Sequence, residues 1–443
     1  MSPPAALIVE HSTDKPSEDC AVAGLLLARL VHGSAESVSF ARLRDRDVAF
    51  RQPGSAEHVM PDGRLVDNSV LWVDRGASSR ARFVEVADLS ALDATGSMVV
   101  AVNRVLAPHV AMPDLAGRLR SSGHTMVRLR AATRGDEVAV TASDDDGADR
   151  HVADARRDAF GRWRLKDRGL DAVLADRFGI VAPSEESVAA AASNRPEAHL
   201  LVIGESAHLR DVFPAVLAAL GDAADHADLA ARTRIVSPKG LTGGNWPACL
   251  EGADGLVLPG GSDLDQVDGQ VAAASVAMAG GLPTVGLCLG MQSMAVAVAR
   301  TTPGFESAHL AEVDPDGPCP LFQRLKDGNG DPAHKVGAGR LRIVPGTRLA
   351  ACCGDTTLLE RLNHRHALTD ADATPLRGAG LRVCARLDDG SAIEGVEVSA
   401  HPFFIGLQSH PELSSRPAAP HPLLAAFLGA AASRRASGSS ADR

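Results

Sequence analysis

Apolar positions along the chain fall into short unbroken runs, closed by Gly, Pro or small polar residues and followed by longer Ala/Leu-rich stretches. Unbroken runs of this length read as strands buried on both faces, and the stretches behind them as covering helices. The opening shows the unit: ALIVE at 6–10, a ten-residue loop HSTDKPSEDC, then AVAGLLLARLV at 21–31. It recurs in HLLVIGESAHLRDVFPAVLAAL at 199–220, in LVLPGG at 256–261, and in LPTV at 282–285, which leads through GLCLGMQ into SMAVAVAR. Strand–loop–helix repetition predicts an α/β fold of two domains, each with a largely parallel sheet flanked by helices. Ligand sites in such sheets lie beyond the carboxyl ends of the strands.

Between these units, ESVSFARLRDRD (36–47), SMVVAVNRVLAP (97–108), TMVRLRAAT (125–133) and DEVAVTAS (136–143) read as further strands. MPDGRLVDNSVLWVDRG (60–76) reads as a hairpin-like pair around turn residues. The charged stretch SDDDGADRHVADARRD (143–158) reads as solvated loop or exposed helix. The pattern divides the chain into a first domain at 1–182, a small, Ala-rich linker at 183–197, a second domain at 198–432, and a tail from 433 to 443 without apolar periodicity, expected to be disordered.

Composition narrows the function classes. The 443 residues are 45% hydrophobic and 23% charged, as in ordinary globular proteins, with aromatics at 3% and no tyrosine. A net charge of −10 without a basic patch argues against nucleic-acid or anionic-membrane binding. Seven scattered cysteines suggest neither a disulfide framework nor a zinc site, which fits a reducing compartment. No apolar run approaches the roughly 18 residues of a spanning helix, and MSPPAALIVEHST lacks the layout of a secretory signal. A cytoplasmic protein with no membrane partner is the expectation.

Candidate chemistry centres on GLCLGMQ, 286–292. A buried strand that breaks at glycine and restarts as a helix places Cys288 on a sharp turn, where helix N–H groups and dipole favour thiolate. A packed core cysteine is the plainer alternative for this motif taken alone. FFIGLQSHPE (403–412) lies 122 residues after Cys288 and delivers His410 and Glu412 together at a strand end. Cysteine, imidazole and carboxylate are the nucleophile, base and orienting group of covalent acyl transfer. LVLPGG ends in paired glycines whose N–H groups can turn toward a ligand, making Gly261 and Leu289 N–H the candidate oxyanion donors.

These three stretches, in this order, resemble the class I glutamine amidotransferase domain, and specifically that of CTP synthase. GLQSHPELSSRPAAPHPLLAAFLGAA is similar to that family's closing segment, LLERLNHRHALT to its R-H-R-Y segment, and ARTTPGFESAHLAEVDPDGPCPLF to its A-N-S-T-E-F insert. WRLKDRGLDAVLADRFGIVAPS resembles the end of its synthetase domain, which implies that residues 1–182 are a shortened, P-loop-derived synthetase-like domain. The resemblance implies a flavodoxin-like second domain, hydrolysis of L-glutamine to glutamate and ammonia, and glutamine contacts from Gln292, Glu312 and Arg365. It further implies amination of a nucleotide-like or nucleoside-like (UTP-like) acceptor, on this chain or on a partner protein, and a homo-oligomer.

The departures from the family fall on its phosphate-handling regions. The first loop has no glycine and places Asp14, Glu18 and Asp19 where phosphate is cradled, with Lys15 at the far end. The loop after LPGG has Ser262, Asp263, Asp265 and Gln270 where the family has Phe, Gly, Arg and Lys, and carboxylates there oppose a triphosphate such as GTP. In the opening of the second domain Glu205 and Ser206 replace the family's Lys and Tyr, and His366 stands in place of the Tyr of R-H-R-Y. No cofactor or metal is therefore assigned; ATP and magnesium enter only if the first domain functions as a synthetase. Two other readings stand beside the first: a complete ATP-dependent CTP synthase with an unusual phosphate loop, and a non-catalytic regulatory partner of such an enzyme.

Overall fold

In a computed structural model the chain forms two compact units, Met1–Gln52 with Asp67–Ala190 and Pro53–Val66 with Ala191–Arg443. The structure describes residues 4–11, 16–33, 38–43, 57–67, 70–76, 81–92, 96–104, 107–143, 149–180, 195–239, 245–261, 263–354 and 356–441. The phosphate-loop reading at Asp14 and Lys15, most of the expected linker, and the side chains of Glu18 and Asp19 lie outside the described residues.

The first unit holds an eight-stranded sheet. Its order is Trp163–Asp167, Asp149–Arg157, Glu137–Ser143, Thr125–Arg134, Ala5–His11, Ser97–Asn103, Val38–Leu43 and Arg82–Val86. The last five of these run parallel, and the first three extend the sheet antiparallel. Ser97–Asn103 is buried along its whole length, as an unbroken apolar run flanked by strands on both sides requires. Two segments differ from expectation. Asp149–Arg157 is a strand, because Val152, Ala153 and Ala155 are fully buried within its charged surroundings and its neighbours take up its backbone hydrogen bonds. Val70–Gly76 is a helix: its consecutive apolar residues Val70, Leu71, Trp72 and Val73 are all buried, so only the preceding Glu57–Val59 and Leu65–Asp67 form the hairpin.

The second unit holds a nine-stranded sheet. Its order is Ala230–Val236, Glu197–Ile203, Gly255–Leu258, Thr284–Leu287, Phe404–Leu407, Ile393–Val398, Leu381–Leu387, Lys335–Ile343 and Thr357–His364. The first five are parallel and the rest join antiparallel. Both units are thus α/β, with a parallel core. Helices Val267–Ala279 and Leu289–Ala299 cover the middle of the second sheet through a continuous apolar core that includes Leu256, Leu258, Val271, Met291 and Met294. Residues 57–66 pack on this unit, where Pro61 accepts from Ala338 N–H at 3.0 Å and Val59 accepts from Arg361 Nη1 at 2.5 Å.

The final helix, Pro422–Ala441, continues past 433, where the sequence pattern predicts disorder. Arg434 Nη1 donates to Gly281 O at 3.0 Å, and Arg435 Nη1 to Asp254 Oδ2 at 3.2 Å. These two arginines anchor a turn that apolar periodicity does not. Among the described residues no helix is long and apolar enough to cross a membrane.

Candidate active site

Strands Gly255–Leu258, Thr284–Leu287 and Phe404–Leu407 are neighbours and parallel, with Leu258 beside Gly286 and Leu287 beside Leu407. Their carboxyl ends therefore emerge together. Cys288 follows Leu287 directly, Gly260 comes two residues after Leu258, and His410 three after Leu407. Residues more than a hundred positions apart meet because adjacent parallel strands end at the same level.

Cys288 is 8% exposed and has φ +50°, ψ −108°, a backbone region that costs a non-glycine residue on the order of 1–3 kcal/mol. Two hydrogen bonds hold it there, Cys288 N–H to Leu407 O at 2.8 Å and Gln292 N–H to Cys288 O at 3.2 Å. The following helix begins at Leu289, whose N–H has no acceptor within its own helix. Gly290 allows that helix to lie against the neighbouring strand, since a Cβ on it would come within 1.9 Å of Leu258 O. The motif's second glycine is thus a packing requirement of the elbow.

His410 Nδ1 lies 2.7 Å from Glu412 Oε1, so the imidazole donates from Nδ1 and leaves Nε2 as its free edge. A Cβ on Gly260 would fall 3.2 Å from Cys288 Cβ and 3.3 Å from His410 Cε1, so both side chains border the same small space that this glycine leaves open. Burial pulls the His410 pKa down. The Glu412 carboxylate and the Cys288 sulfur outweigh burial and hold it well above the ordinary imidazole value. Glu412 itself is 4% exposed.

Of the expected oxyanion donors, Leu289 is the first helical residue after Cys288, and Gly261, with φ +156°, ends the glycine pair. The loop behind Gly261 is pinned internally. Asp263 Oδ2 takes an ion pair from Lys239 Nζ at 2.9 Å and lies 3.3 Å from Gln266 Nε2. That lysine first, against slight burial, holds the Asp263 carboxyl below its usual range. Gln270 is fully buried, donates to Pro259 O at 3.1 Å and accepts from Ser293 Oγ at 2.9 Å, tying the glycine strand to the elbow helix.

The three expected glutamine contacts divide. Gln292 is at the elbow, 4% exposed, donating from Nε2 to Gln408 Oε1 at 3.2 Å, while its Oε1 has no partner among the described residues. Gln408, fully buried, donates in turn to Cys288 Sγ at 3.5 Å. Glu312 and Arg365 belong to a second, more exposed cluster on two small sheets, His309–Leu310 with Pro320–Leu321 and Gln323–Arg324 with His366–Ala367. There Glu312 Oε2 meets His366 Nδ1 at 3.1 Å, with Arg324 and Arg365 adding positive charge. Glu394, fully buried, ties the two clusters. Its backbone carbonyl accepts from Gln408 N–H at 2.8 Å, and its Oε1 lies 3.0 Å from His364 Nε2.

Sequence reasoning missed Gln408, Glu394 and Gly260. Gln408 lies two residues before His410 inside a motif already singled out, so its position was the available signal; Glu394 sits in a strand with nothing local to mark it.

The parallel sheet thus presents a strained cysteine beside a carboxylate-held histidine. Residues 236–430 match the family model described as glutamine amidotransferase class-I. The chain thus carries a class I glutamine amidotransferase domain. It is similar to the CTP synthase of Thermomicrobium roseum, 32% identical over 278 residues that cover 62% of this chain and 50% of that one. It is also similar to the CTP synthase of Saccharopolyspora erythraea, 38% identical over 197 residues covering 42% of this chain and 35% of that one. Among solved structures, the glutaminase domain of Trypanosoma brucei CTPS with bound acivicin superposes with a TM-score of 0.50 at 28% identity, over 53% of this chain and 94% of that one. The chain spans about half the length of the curated relatives it matches.

Proposed function

We propose that this chain hydrolyses L-glutamine to glutamate and ammonia through Cys288, His410 and Glu412. The carrying observation is that the strained Cys288 and the Glu412-bound His410 both border the space left open by Gly260. In this reading the Cys288 thiolate attacks the side-chain amide and the N–H groups of Gly261 and Leu289 take up the charge on oxygen. His410 then gives its proton to the departing ammonia and, now neutral, takes one from the water that opens the thioester. Glu412 keeps the imidazole in the tautomer these steps need. Gln292, whose Oε1 is a buried acceptor left open, together with Glu312 and Arg365, holds the amino-acid end of the substrate.

The liberated ammonia aminates a nucleotide-like or nucleoside-like acceptor, as the similarity to CTP synthases suggests. Whether that acceptor binds the first unit or a partner protein is decided by adding UTP, ATP and magnesium to the glutaminase assay, with CTP and ADP formation marking a complete synthase. Purified protein is expected to release glutamate from glutamine, and Cys288→Ala to lose at least about 10⁴-fold of that rate while folding normally. A mutant as active as the parent removes the assignment.

A further inference from the structure

We infer that Gln408 is a further catalytic residue of this site: its amide holds the Cys288 sulfur for attack and, through Gln292, takes its direction from the ammonium end of bound glutamine. The inference rests on the glutamine-hydrolysing reading above and concerns how that same site responds to its substrate.

Gln408 follows the strand Phe404–Leu407, is fully buried, and donates its backbone N–H to Glu394 O at 2.8 Å. Its side chain meets two groups. Nε2 donates to Cys288 Sγ at 3.5 Å, and Oε1 accepts from Gln292 Nε2 at 3.2 Å. Gln292 lies one turn along the elbow helix, with its backbone N–H bonded to Cys288 O at 3.2 Å. Its side-chain Oε1 is buried and has no partner among the described residues. The two amides thus form a chain that runs one way, with an open oxygen at one end and an N–H on the sulfur at the other.

An amide has nearly the same shape either way round, so packing does not choose its direction and hydrogen bonds must. Run as observed, the chain gives the sulfur a donor, which suits a thiolate. Turned over, it gives the sulfur an acceptor, which suits a thiol and repels a thiolate, and it puts the Gln292 NH2 group where the open oxygen now stands. The α-ammonium group of glutamine, which the Glu312 carboxylate attracts, is a donor only and bonds that oxygen in the first state alone. Filling the amino-acid end therefore fixes both amides with an N–H on Cys288, and the sulfur is held ready once the ammonium group is in place. A compound with an amide but no ammonium group leaves the chain free to turn. Burial of Gln408 as packing alone has no such consequence.

The test is made at one pH, and its first measurement needs no variant. Chloroacetamide alkylates Cys288, read from the mass of the Cys288 peptide, with and without L-alanine, which carries both α groups and leaves the space beside the sulfur empty. At concentrations that inhibit glutamine hydrolysis, L-alanine is expected to speed this alkylation roughly three- to tenfold. Gln408→Met, close in length and volume but unable to donate, should abolish the acceleration. It should also lower kcat for glutamine about ten- to a hundredfold, the worth of one hydrogen bond to a charged group, with KM within about threefold of the parent. Alkylation of the parent that L-alanine leaves unchanged or slows, or a Gln408→Met protein with the parent's kcat, overturns the inference and leaves the glutaminase reading standing. A parent that releases no glutamate from glutamine overturns both.

Discussion

The cluster around Cys288 and the cluster around Glu312 serve one substrate in the proposed reaction but are built differently. The first is placed by three adjacent parallel strands and a helix packed so closely that a methyl group on Gly290 has no room, and its hydrogen bonds run through fully buried Gln270 and Gln408. The second sits beside two-residue strands at the edge of the sheet, where Thr357–His364 ends, with Glu312 and Arg365 exposed. Geometry that must hold to fractions of an ångström is set on a rigid sheet, whereas groups that recognise charge tolerate a looser frame. Changes in the first cluster should therefore act on kcat, and changes in the second on KM.

The largest effect separating the two is expected from Glu412→Gln. It leaves the shape of the site but not the charge that orients and supports the imidazole, so kcat should fall roughly 10²- to 10⁴-fold with KM little changed. Because Glu412 and the sulfur of Cys288 raise the His410 pKa against the pull of burial, imidazolium persists above the ordinary value near 6.5. The alkaline limb of kcat, where the proton for ammonia is lost, should lie above that value in the parent and move down in the variant. The sign for stability follows from a folded-state pKa raised over the unfolded one. The contribution is full below the unfolded value and is lost as pH rises through the folded one. Thermal melts should accordingly show the variant most destabilised at mildly acidic pH and nearly equal to the parent at high pH. A uniform loss across pH contradicts the assigned pair.

How much of this could be read from the residues follows the same division. The buried strands, the elbow at Cys288 and the His410–Glu412 pair are local in sequence, because a strand end fixes what comes immediately after it. The unbroken apolar runs likewise gave the parallel cores of both units. The second cluster was legible only through family resemblance, since Glu312 and Arg365 carry no local pattern, Glu312 following a two-residue strand and Arg365 standing between the sheet-edge strand Thr357–His364 and a two-residue one. His366, the partner of Glu312, stands out in the sequence only as a substitution for tyrosine, and the pairing joins segments 54 positions apart. The strand Asp149–Arg157 escaped for a related reason: its three buried residues sit among charges that satisfy the usual signature of solvated chain.

A smaller but sharper cut is Gly260→Ala. The added Cβ has three neighbours at 3.2–3.4 Å, Cys288 Cβ, His410 Cε1 and Leu287 O, so the Cys288 side chain and the imidazole must each give by a few tenths of an ångström. Misalignment on that scale between nucleophile and base is expected to lower kcat about 10²-fold, with only a small change in melting temperature. If glutamate release is unaffected, the two groups do not meet beside this glycine in the working enzyme.

The smallest expected effect tests the other side. Arg365→Ala removes one exposed cation proposed to hold the α-carboxylate, a charged hydrogen bond worth about 1.5–3 kcal/mol. KM for glutamine should rise roughly ten- to a hundredfold while kcat stays within about threefold, because the grip is lost equally from the ground and transition states. Arg365 also stands near Glu312, where its positive charge opposes an incoming ammonium group, so its removal favours the ammonium site slightly and offsets part of the loss. The net rise in KM should thus be steeper against analogues that keep the carboxylate but lack the amine than against glutamine itself. A fall in kcat comparable to that of Gly260→Ala, with KM unchanged, would mean that the peripheral hairpins shape the reacting centre and that the two clusters are one.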